Sequence, residues 1–258
     1  LGVPLLMLEF SIGHYFNKNI VDSFASIRKR FRGIGWLMVF NSFIVMSYYA
    51  VVVSWNLLYF FAAFGLQWKN DSKFYFFDNV VQLSEGFRNF TEFSFPVFIA
   101  LMLAWTIVFF YIRKGFESMK RGFLITLPLF VFLLLLFFLY TSSLDNALDG
   151  IYSFLKPKYE SLLNLNVWLA SFSLAITSLG LSFGIMHTIA RKSEEGFILG
   201  NSIIVVAFKM LVTVAIGFIV FSTLGFLSMK QGMSIDTLVF SGADAQFTIL
   251  TQALPQQS

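Results

Sequence analysis

The 258-residue chain contains no cysteine, and charged residues make up only 12% of it. Without cysteine there is no disulfide framework, no thiol nucleophile and no thiolate metal site. Soluble domains carry roughly 25% charged residues, so this low share excludes an ordinary soluble globule. The mean hydropathy of +0.76 and the 35 phenylalanines, gathered in long apolar blocks, instead predict an all-α fold, a polytopic bundle of transmembrane helices.

The apolar blocks predict one partial and five full membrane spans, since a bilayer core of about 30 Å needs about 20 apolar residues per helix. The partial span covers residues 1–15, and the full spans cover 36–66, 95–112, 123–142, 167–190 and 197–228. We interpret residues 1–258 as a single transmembrane domain truncated at both ends, because the chain begins inside an apolar run and stops without a final span.

Charged residues between the spans predict the orientation of the chain. Lysine and arginine are concentrated at residues 18–32, 113–121 and 191–192, a bias typical of cytoplasmic loops. The opposite connections mix lysine with acidic residues, so residues 67–94 are predicted to be an extracellular loop and 229–258 an extracellular segment after the last span. This pattern gives no basis for nucleic-acid binding, and the expected partner is the lipid bilayer.

Several motifs resemble segments of the neurotransmitter:sodium symporter family. They correspond in chain order to the family's second and third helices, the loop between its fourth and fifth helices, the segment after the fifth, the broken sixth helix and the seventh helix: Gly2–Gly13, Gly35–Trp55, Arg113–Glu117, Ala147–Gly150, Val167–Gly184 and Gly217–Phe226. The resemblance implies a fragment of a twelve-helix transporter with the LeuT-type fold, covering roughly helices two to seven.

One predicted span has small residues at its centre, in the run from Ser178 to Gly184. Glycine weakens a helix, and a serine hydroxyl can satisfy a freed backbone group, so the run indicates either a break or close packing of helices through small residues. The resemblance favours a discontinuous helix near Ser178–Ser182. A break near the membrane midplane exposes backbone groups that can hold a carboxylate or a cation.

The resemblance also implies a substrate-binding site in which Tyr49 hydrogen-bonds a carboxylate and Ser178 additionally binds a sodium ion. An interfacial anchor is the alternative role for Tyr49. Thr177 stands where the family has an aromatic residue and Ser182 where it has glycine, so the pocket is expected to have an altered shape. The complete set of substrate-binding residues is Val45, Tyr49, Thr177, Ser178, Gly180 and Phe183.

Three further residues are assigned roles by the resemblance. Glu9 would be a structural support that accepts hydrogen bonds from the unwound sixth helix. Lys209 would occupy the position of an asparagine that coordinates the first sodium ion, and we hypothesise that its ammonium group replaces that ion. The alternatives are a register shifted by one turn, or a lysine that extends toward the inner surface. Thr213 takes the position that decides chloride dependence, where a hydroxyl is compatible with chloride.

The predicted function is secondary active transport of an amino acid or related small amine across the plasma membrane, with sodium as the coupling ion and no other cofactor. The alternatives are a non-transporting or receptor-like relative, and a proton-coupled or sodium-independent transporter in which Lys209 replaces sodium. The sequence shows no paired carboxylates, nucleophile with base, or phosphate loop, so an enzyme is not predicted. Both histidines, His14 and His187, are predicted to be interfacial.

Overall fold

A computed structural model describes residues 2–68, 71–82, 94–193 and 196–238, together with Phe247, Ile249 and Thr251. These residues contain helices and no strand, which confirms the all-α prediction. The α-helices in chain order are α1 Gly2–Phe16, α2 Ile20–Ile27, α3 Arg32–Ala63, α4 Ser72–Phe74, α5 Phe95–Ile112, α6 Phe116–Ser142, α7 Ala147–Leu155, α8 Leu165–Ser178, α9 Ile185–Lys192, α10 Ile198–Gln231 and α11 Ile235–Leu238. Short 3-10 helices cover Lys29–Phe31 and Tyr159–Leu163, and a π-helix covers Tyr75–Val81.

Among the described residues, four helices are individually long and apolar enough to cross a membrane: α3 with the preceding 3-10 turn, α5, α6 and α10. Their side chains are mostly exposed within the chain, as expected for surfaces in contact with lipid. Two helices begin before the predicted spans, α3 at Arg32 rather than Trp36 and α6 at Phe116 rather than Phe123. The predicted span 167–190 consists of two shorter helices, α8 and α9.

The predicted extracellular parts are only partly described. Within the loop 67–94, α4 and the π-helix form one short helical segment capped by Asp71, whose side chain accepts a hydrogen bond from the Phe74 amide. Residues 69–70 and 83–93 lie outside the described residues. So do most residues after 238, which belong to the predicted extracellular segment 229–258.

Contacts divide the chain into two compact units. The first contains Leu1–Ser47 and Pro157–Val214. In this unit α1 lies along α9, and a Cβ added at Gly13 would come within 2.5 Å of the His187 carbonyl oxygen. Only a residue without a side chain allows the two helix backbones to approach so closely. The same unit has an apolar core of Leu6, Phe10, Leu179, Leu181 and Ala190.

The second unit contains Tyr48–Lys156 and Ala215–Ser258. Here α7 packs closely against α10, because Gly150 faces the Phe221 carbonyl and Gly225 faces the Asn146 carbonyl. The Asn146 side-chain amide donates a hydrogen bond of 3.3 Å to the Gly225 carbonyl. Glycines at a helix contact permit this approach in membrane proteins, where close packing and hydrogen bonds hold helices together.

An aromatic cluster in the second unit joins the end of α3 to the segment after it. The Tyr59 and Trp68 rings stack with centroids 5.7 Å apart, and the Phe76 and Phe247 rings stack at 4.9 Å. All four side chains are buried. The cluster therefore attaches part of the predicted extracellular loop to the end of a spanning helix.

Candidate functional site

The structure breaks a helix at the position indicated by the small residues. Helix α8 ends at Ser178, α9 begins at Ile185, and Gly180, Ser182 and Gly184 adopt left-handed conformations with φ between 66° and 70°. An α-helix of L-residues cannot continue through such conformations. The predicted discontinuous helix is therefore confirmed, and the six residues 179–184 form the connection between its halves.

Backbone groups of this connection find partners other than the regular helical ones. The amides of Gly180 and Leu181 donate hydrogen bonds of 3.1 Å to the carbonyls of Thr177 and Ile176, respectively. The Ser182 amide, which in a continuous helix would bond to the Ser178 carbonyl, instead donates to Glu9 Oε1 at 2.6 Å. The last turn of α8 has thus lost a regular hydrogen-bond donor.

The Glu9 carboxyl group lies at the centre of this arrangement. The residue is 9% exposed, and a buried carboxyl group is costly unless it is hydrogen-bonded. Its Oε1 accepts from Ser182, while its Oε2 has no hydrogen-bond partner among the described residues. Glu9 thus fixes one amide of the connection and keeps an acceptor oxygen free.

Ser42 supplies a second contact to the connection, which the sequence reasoning did not find. Its hydroxyl lies 2.7 Å from the Phe183 carbonyl oxygen and 2.9 Å from the Met38 carbonyl oxygen. The only sequence signal is a serine within an apolar span. Such a hydroxyl usually forms a hydrogen bond within its own helix. The hydrogen bond from Ser42 to Phe183, 141 positions away, therefore could not be predicted from the sequence.

Four of the predicted substrate-binding residues lie at the break. The Thr177 hydroxyl donates to the Ser173 carbonyl at 2.8 Å, so its proton is used within α8. Within the described part of the chain, the Ser178 hydroxyl makes a single long contact of 3.5 Å, with the Ala175 carbonyl. Both residues are exposed, while Gly180 and Phe183 are half-buried in the connection. Ser178 therefore has the more available hydroxyl oxygen of the two.

The other two predicted substrate-binding residues, Val45 and Tyr49, lie on α3. Val45 belongs to the first unit and is half-buried, whereas Tyr49 belongs to the second. The Tyr49 side chain is 59% exposed, and its ring makes an edge contact with the Tyr48 ring at 6.5 Å between centroids. Its phenol forms no hydrogen bond with any residue that the structure describes.

Lys209 and Thr213 lie one turn apart on α10. The Thr213 hydroxyl donates to the Lys209 carbonyl at 2.9 Å. Lys209 is half-buried, and its ammonium group makes no hydrogen bond or ion pair within the described ranges. A lysine that is neither fully exposed nor paired has a charge available to a ligand or to a residue outside these ranges.

An open cleft of about 710 Å³ lies beside the break in the first unit. Its lining is mainly apolar, from residues such as Leu8, Phe40 and Phe172, with polar groups from Glu9, Asn41 and Ser182. None of the predicted substrate-binding residues is in its described lining. The cleft therefore brings the supporting carboxyl group and one end of the break together, but not the predicted substrate site.

His187 is buried rather than interfacial, which corrects the sequence prediction for this residue. It is 0% exposed, and its Nε2 lies 3.0 Å from the hydroxyl oxygen of Ser23 on α2, which is also fully buried. The face of α9 that carries His187 is in contact with α1 through Gly13 and with α2 through Ser23. His187 and Ala190, three residues apart, share the buried face of α9.

Apolar spanning helices and a helix interrupted in its middle define the class as a polytopic α-helical membrane protein with a discontinuous helix. The model of the sodium:neurotransmitter symporter family matches residues 1–75 and 66–258, which together include the whole chain. The chain therefore belongs to the sodium:neurotransmitter symporter family and is a multi-pass protein of the cell membrane.

Curated relatives agree with this family. An uncharacterized sodium-dependent transporter of Methanocaldococcus jannaschii, MJ1319, is 33% identical over 98% of the chain and 52% of its own length. The sodium- and chloride-dependent GABA transporter ine of Drosophila melanogaster is 27% identical over 98% of the chain and 30% of its length. The mouse sodium-dependent neutral amino acid transporter B(0)AT1 is 28% identical over 89% of the chain and 40% of its length. The chain spans about half the length of the first of these relatives and less of the others.

Proposed function

We propose that the chain forms part of a secondary active transporter that carries an amino acid or a related small amine across the plasma membrane with sodium. The observation that carries this proposal is the interrupted helix between Ser178 and Ile185, supported by the Glu9 carboxyl group. Interrupted helices provide ligand sites near the membrane midplane in transporters, because their ends present unpaired backbone groups. The similar proteins are named as sodium-dependent transporters, of GABA or of neutral amino acids in two cases.

The two halves of the interrupted helix offer complementary chemistry to a zwitterionic substrate. The carboxyl end of α8 carries a partial negative charge and the amino end of α9 a partial positive charge. We assign Thr177, Ser178, Gly180 and Phe183 to substrate contacts, with Val45 and Tyr49 contributed by α3. Rocking of helix groups around this site gives alternating access.

Ser178 is the proposed sodium ligand in this chain. The residue is exposed, and among the described residues its hydroxyl makes a single 3.5 Å contact, with a carbonyl of its own helix, so its lone pairs are available to a cation. Sodium as a hard cation suits oxygen ligands of this kind. Thr213 is a weaker candidate for a chloride contact, since its hydroxyl proton is already donated to the Lys209 carbonyl.

We further propose that the Lys209 ammonium group replaces one sodium ion. Lys209 is half-buried and has no partner among the described residues, which supports this role because a cation inside a membrane protein requires a compensating partner. Coupling would then depend on the remaining sodium site or on protons. The same lysine is the observation that favours the second candidate function, a non-transporting relative that retains the helices for packing alone.

Uptake by the full-length protein in proteoliposomes tests these proposals. A panel of radiolabelled amino acids and amines is offered with a sodium gradient or a proton gradient, to the wild type and to Lys209→Asn. Lys192→Asn is the matched control, since it removes an exposed lysine on α9. Concentrative uptake under either gradient is the expected result, because only a transporter can accumulate solute. Absence of uptake under both gradients refutes transport and leaves the non-transporting relative.

The substitutions separate the role of Lys209 from the function of the whole protein. If the lysine replaces a sodium ion, Lys209→Asn makes uptake more dependent on sodium, while Lys192→Asn leaves the dependence unchanged. Sodium-driven uptake that is unaffected by Lys209→Asn contradicts the replacement and leaves sodium-coupled transport intact.

A further inference from the structure

The connection from α1 to the start of α3, which includes α2, concentrates positive charge. Residues 17–36 contain Lys18, Arg28, Lys29, Arg30 and Arg32 but a single acidic residue, Asp22. The resulting net charge of +4 equals that of the entire chain. Four of the five cations fall within the five positions from Arg28 to Arg32, so the positive charge of this connection is concentrated there.

The fold holds these four cations on one short turn. The chain from Arg28 enters a 3-10 helix at Lys29–Phe31, closed by a 2.9 Å hydrogen bond from the Phe31 amide to the Arg28 carbonyl, and continues into α3. With a rise of about 2 Å per residue, Lys29, Arg30 and Arg32 originate within about 6 Å of each other along the axis, and Arg28 directly precedes them in an extended conformation. All four residues are exposed. We call Arg28, Lys29, Arg30 and Arg32 the basic turn.

Neighbouring groups compensate this charge only weakly. Asp22 approaches Arg32 at 3.6 Å, but both side chains are about half exposed or more, and the aspartate also accepts a 2.7 Å hydrogen bond from Asn19. The Arg30 guanidinium lies 5.3 Å from the Phe31 ring centre, which orients it without neutralising it. Arg28 and Lys29 have no acidic partner in the described part of the chain. The first turn of α3 also lacks an acidic residue, so its partial positive charge adds to the basic turn.

Trp36 places the basic turn at the level of the lipid head groups. It lies four residues after Arg32, about 6 Å along the helix, and its side chain is 60% exposed. Tryptophan at the end of a spanning helix marks the membrane interface. The positive bias of this connection predicts that the interface faces the cytoplasm, where anionic lipids are enriched.

We propose that the basic turn is a binding site for the phosphate head group of an anionic lipid in the inner leaflet. The arginines form paired hydrogen bonds with phosphate oxygens, Lys29 adds a point charge, and Trp36 rests against the acyl chains below. The general preference for lysine and arginine in cytoplasmic loops does not require four of these residues within five positions, as in the basic turn. The second basic connection, 113–121, spreads its four cations over nine residues, with Glu117 among them and a break at Gly115. It therefore provides a matched control.

Native mass spectrometry of the full-length protein tests the site directly. The detergent-solubilised protein is titrated with phosphatidylglycerol or phosphatidylcholine, and the dissociation constant of the first bound lipid is measured. Each basic residue near a membrane surface contributes about fivefold in affinity, so Arg28→Gln/Lys29→Gln/Arg30→Gln is expected to weaken phosphatidylglycerol binding on the order of 100-fold. The control Lys114→Gln/Lys120→Gln/Arg121→Gln, which removes the same charge, is expected to change it less than about threefold.

Several results would overturn the proposal. Equal losses in the two triple variants would show a diffuse attraction to positive charge rather than a site. An unchanged affinity in the basic-turn variant, or equal binding of phosphatidylcholine, would exclude an anionic head group. Inorganic phosphate that displaces phosphatidylglycerol at equal concentration would assign the site to a free anion instead of a lipid. If the triple variant does not fold, Arg30→Gln alone is expected to raise the dissociation constant of phosphatidylglycerol about fivefold. An unchanged dissociation constant in this variant would also overturn the proposal.

Discussion

Replacing Glu9 is expected to destabilise the connection between α8 and α9 specifically. The distance of 2.6 Å between the Ser182 amide nitrogen and Glu9 Oε1 is shorter than the roughly 2.7–2.9 Å typical of hydrogen bonds from N–H groups to carboxylates. Such bonds contribute about 1.5–3 kcal/mol, and an amide left without a partner costs a similar amount. Glu9→Ala removes the acceptor and leaves a cavity, so the free energy of unfolding should fall by about 3 kcal/mol.

Glu9→Gln keeps an acceptor oxygen in nearly the same place and should cost only about 1 kcal/mol. Two assays distinguish the variants in detergent solution. Thermal unfolding reports the global effect, and hydrogen exchange at the Ser182 amide reports the local one, where a loss of about 2 kcal/mol makes exchange about 30-fold faster. Glu117→Gln removes an exposed carboxylate in the first turn of α6 and is the control: it should lower the free energy of unfolding by less than about 1 kcal/mol and leave exchange at the Ser182 amide unchanged.

The reasoning depends on the hydrogen bond rather than on the bulk of the side chain. If Glu9→Ala and Glu9→Gln lower stability equally, the bond to Ser182 is not what Glu9 contributes. Unchanged exchange at Ser182 in Glu9→Ala would refute the assignment outright, because the amide would then have another partner.

Two further predictions concern backbone positions. Ser182 and Gly180 both have positive φ, a conformation that glycine adopts more easily than other residues. Ser182→Gly should therefore raise the free energy of unfolding by about 0.5 kcal/mol, and Gly180→Ala should lower it by about 1 kcal/mol. A higher melting temperature for Gly180→Ala than for Ser182→Gly would contradict this. Gly150→Ala places a methyl group against the Phe221 carbonyl and should lower the free energy of unfolding by about 2–3 kcal/mol. Gly33→Ala, whose added methyl group meets no described atom within 4 Å, should not lower it. Equal melting temperatures for these two variants would rule out the close α7–α10 contact.

Local sequence was sufficient to predict the spanning helices, whereas the break was predicted from the run of small residues only together with the family resemblance. Long apolar runs determine the spans, and Gly180 within a run of small residues marks where the helix is weakest. The helix starts were less accurate, because hydropathy detects only the part of a helix that lies in lipid. Arg32 and Glu117 continue α3 and α6 into the aqueous side, and Glu117 in the first turn favours a helix start there.

Contacts between distant segments were beyond the reach of these patterns. Ser42 reaches the Phe183 carbonyl across 141 positions, and His187 reaches Ser23 across 164. A serine or histidine in an apolar context has the same local sequence whether it is buried or interfacial, so only the packing of α1, α2 and α9 decides between the two. Glu9 was anticipated as a support through a family resemblance and not through any local pattern.

The close contact of Gly13 with the His187 backbone means that the two halves of the interrupted helix, α8 and α9, are packed against the rest of their unit to different extents. Helix α9 is fastened to α1 by backbone contact and to α2 by the buried Ser23 hydroxyl. Helix α8 has no buried residue of its own among the described residues. We therefore expect a change in conformation at residues 179–184 to displace α8 while α9 stays in place against α1 and α2.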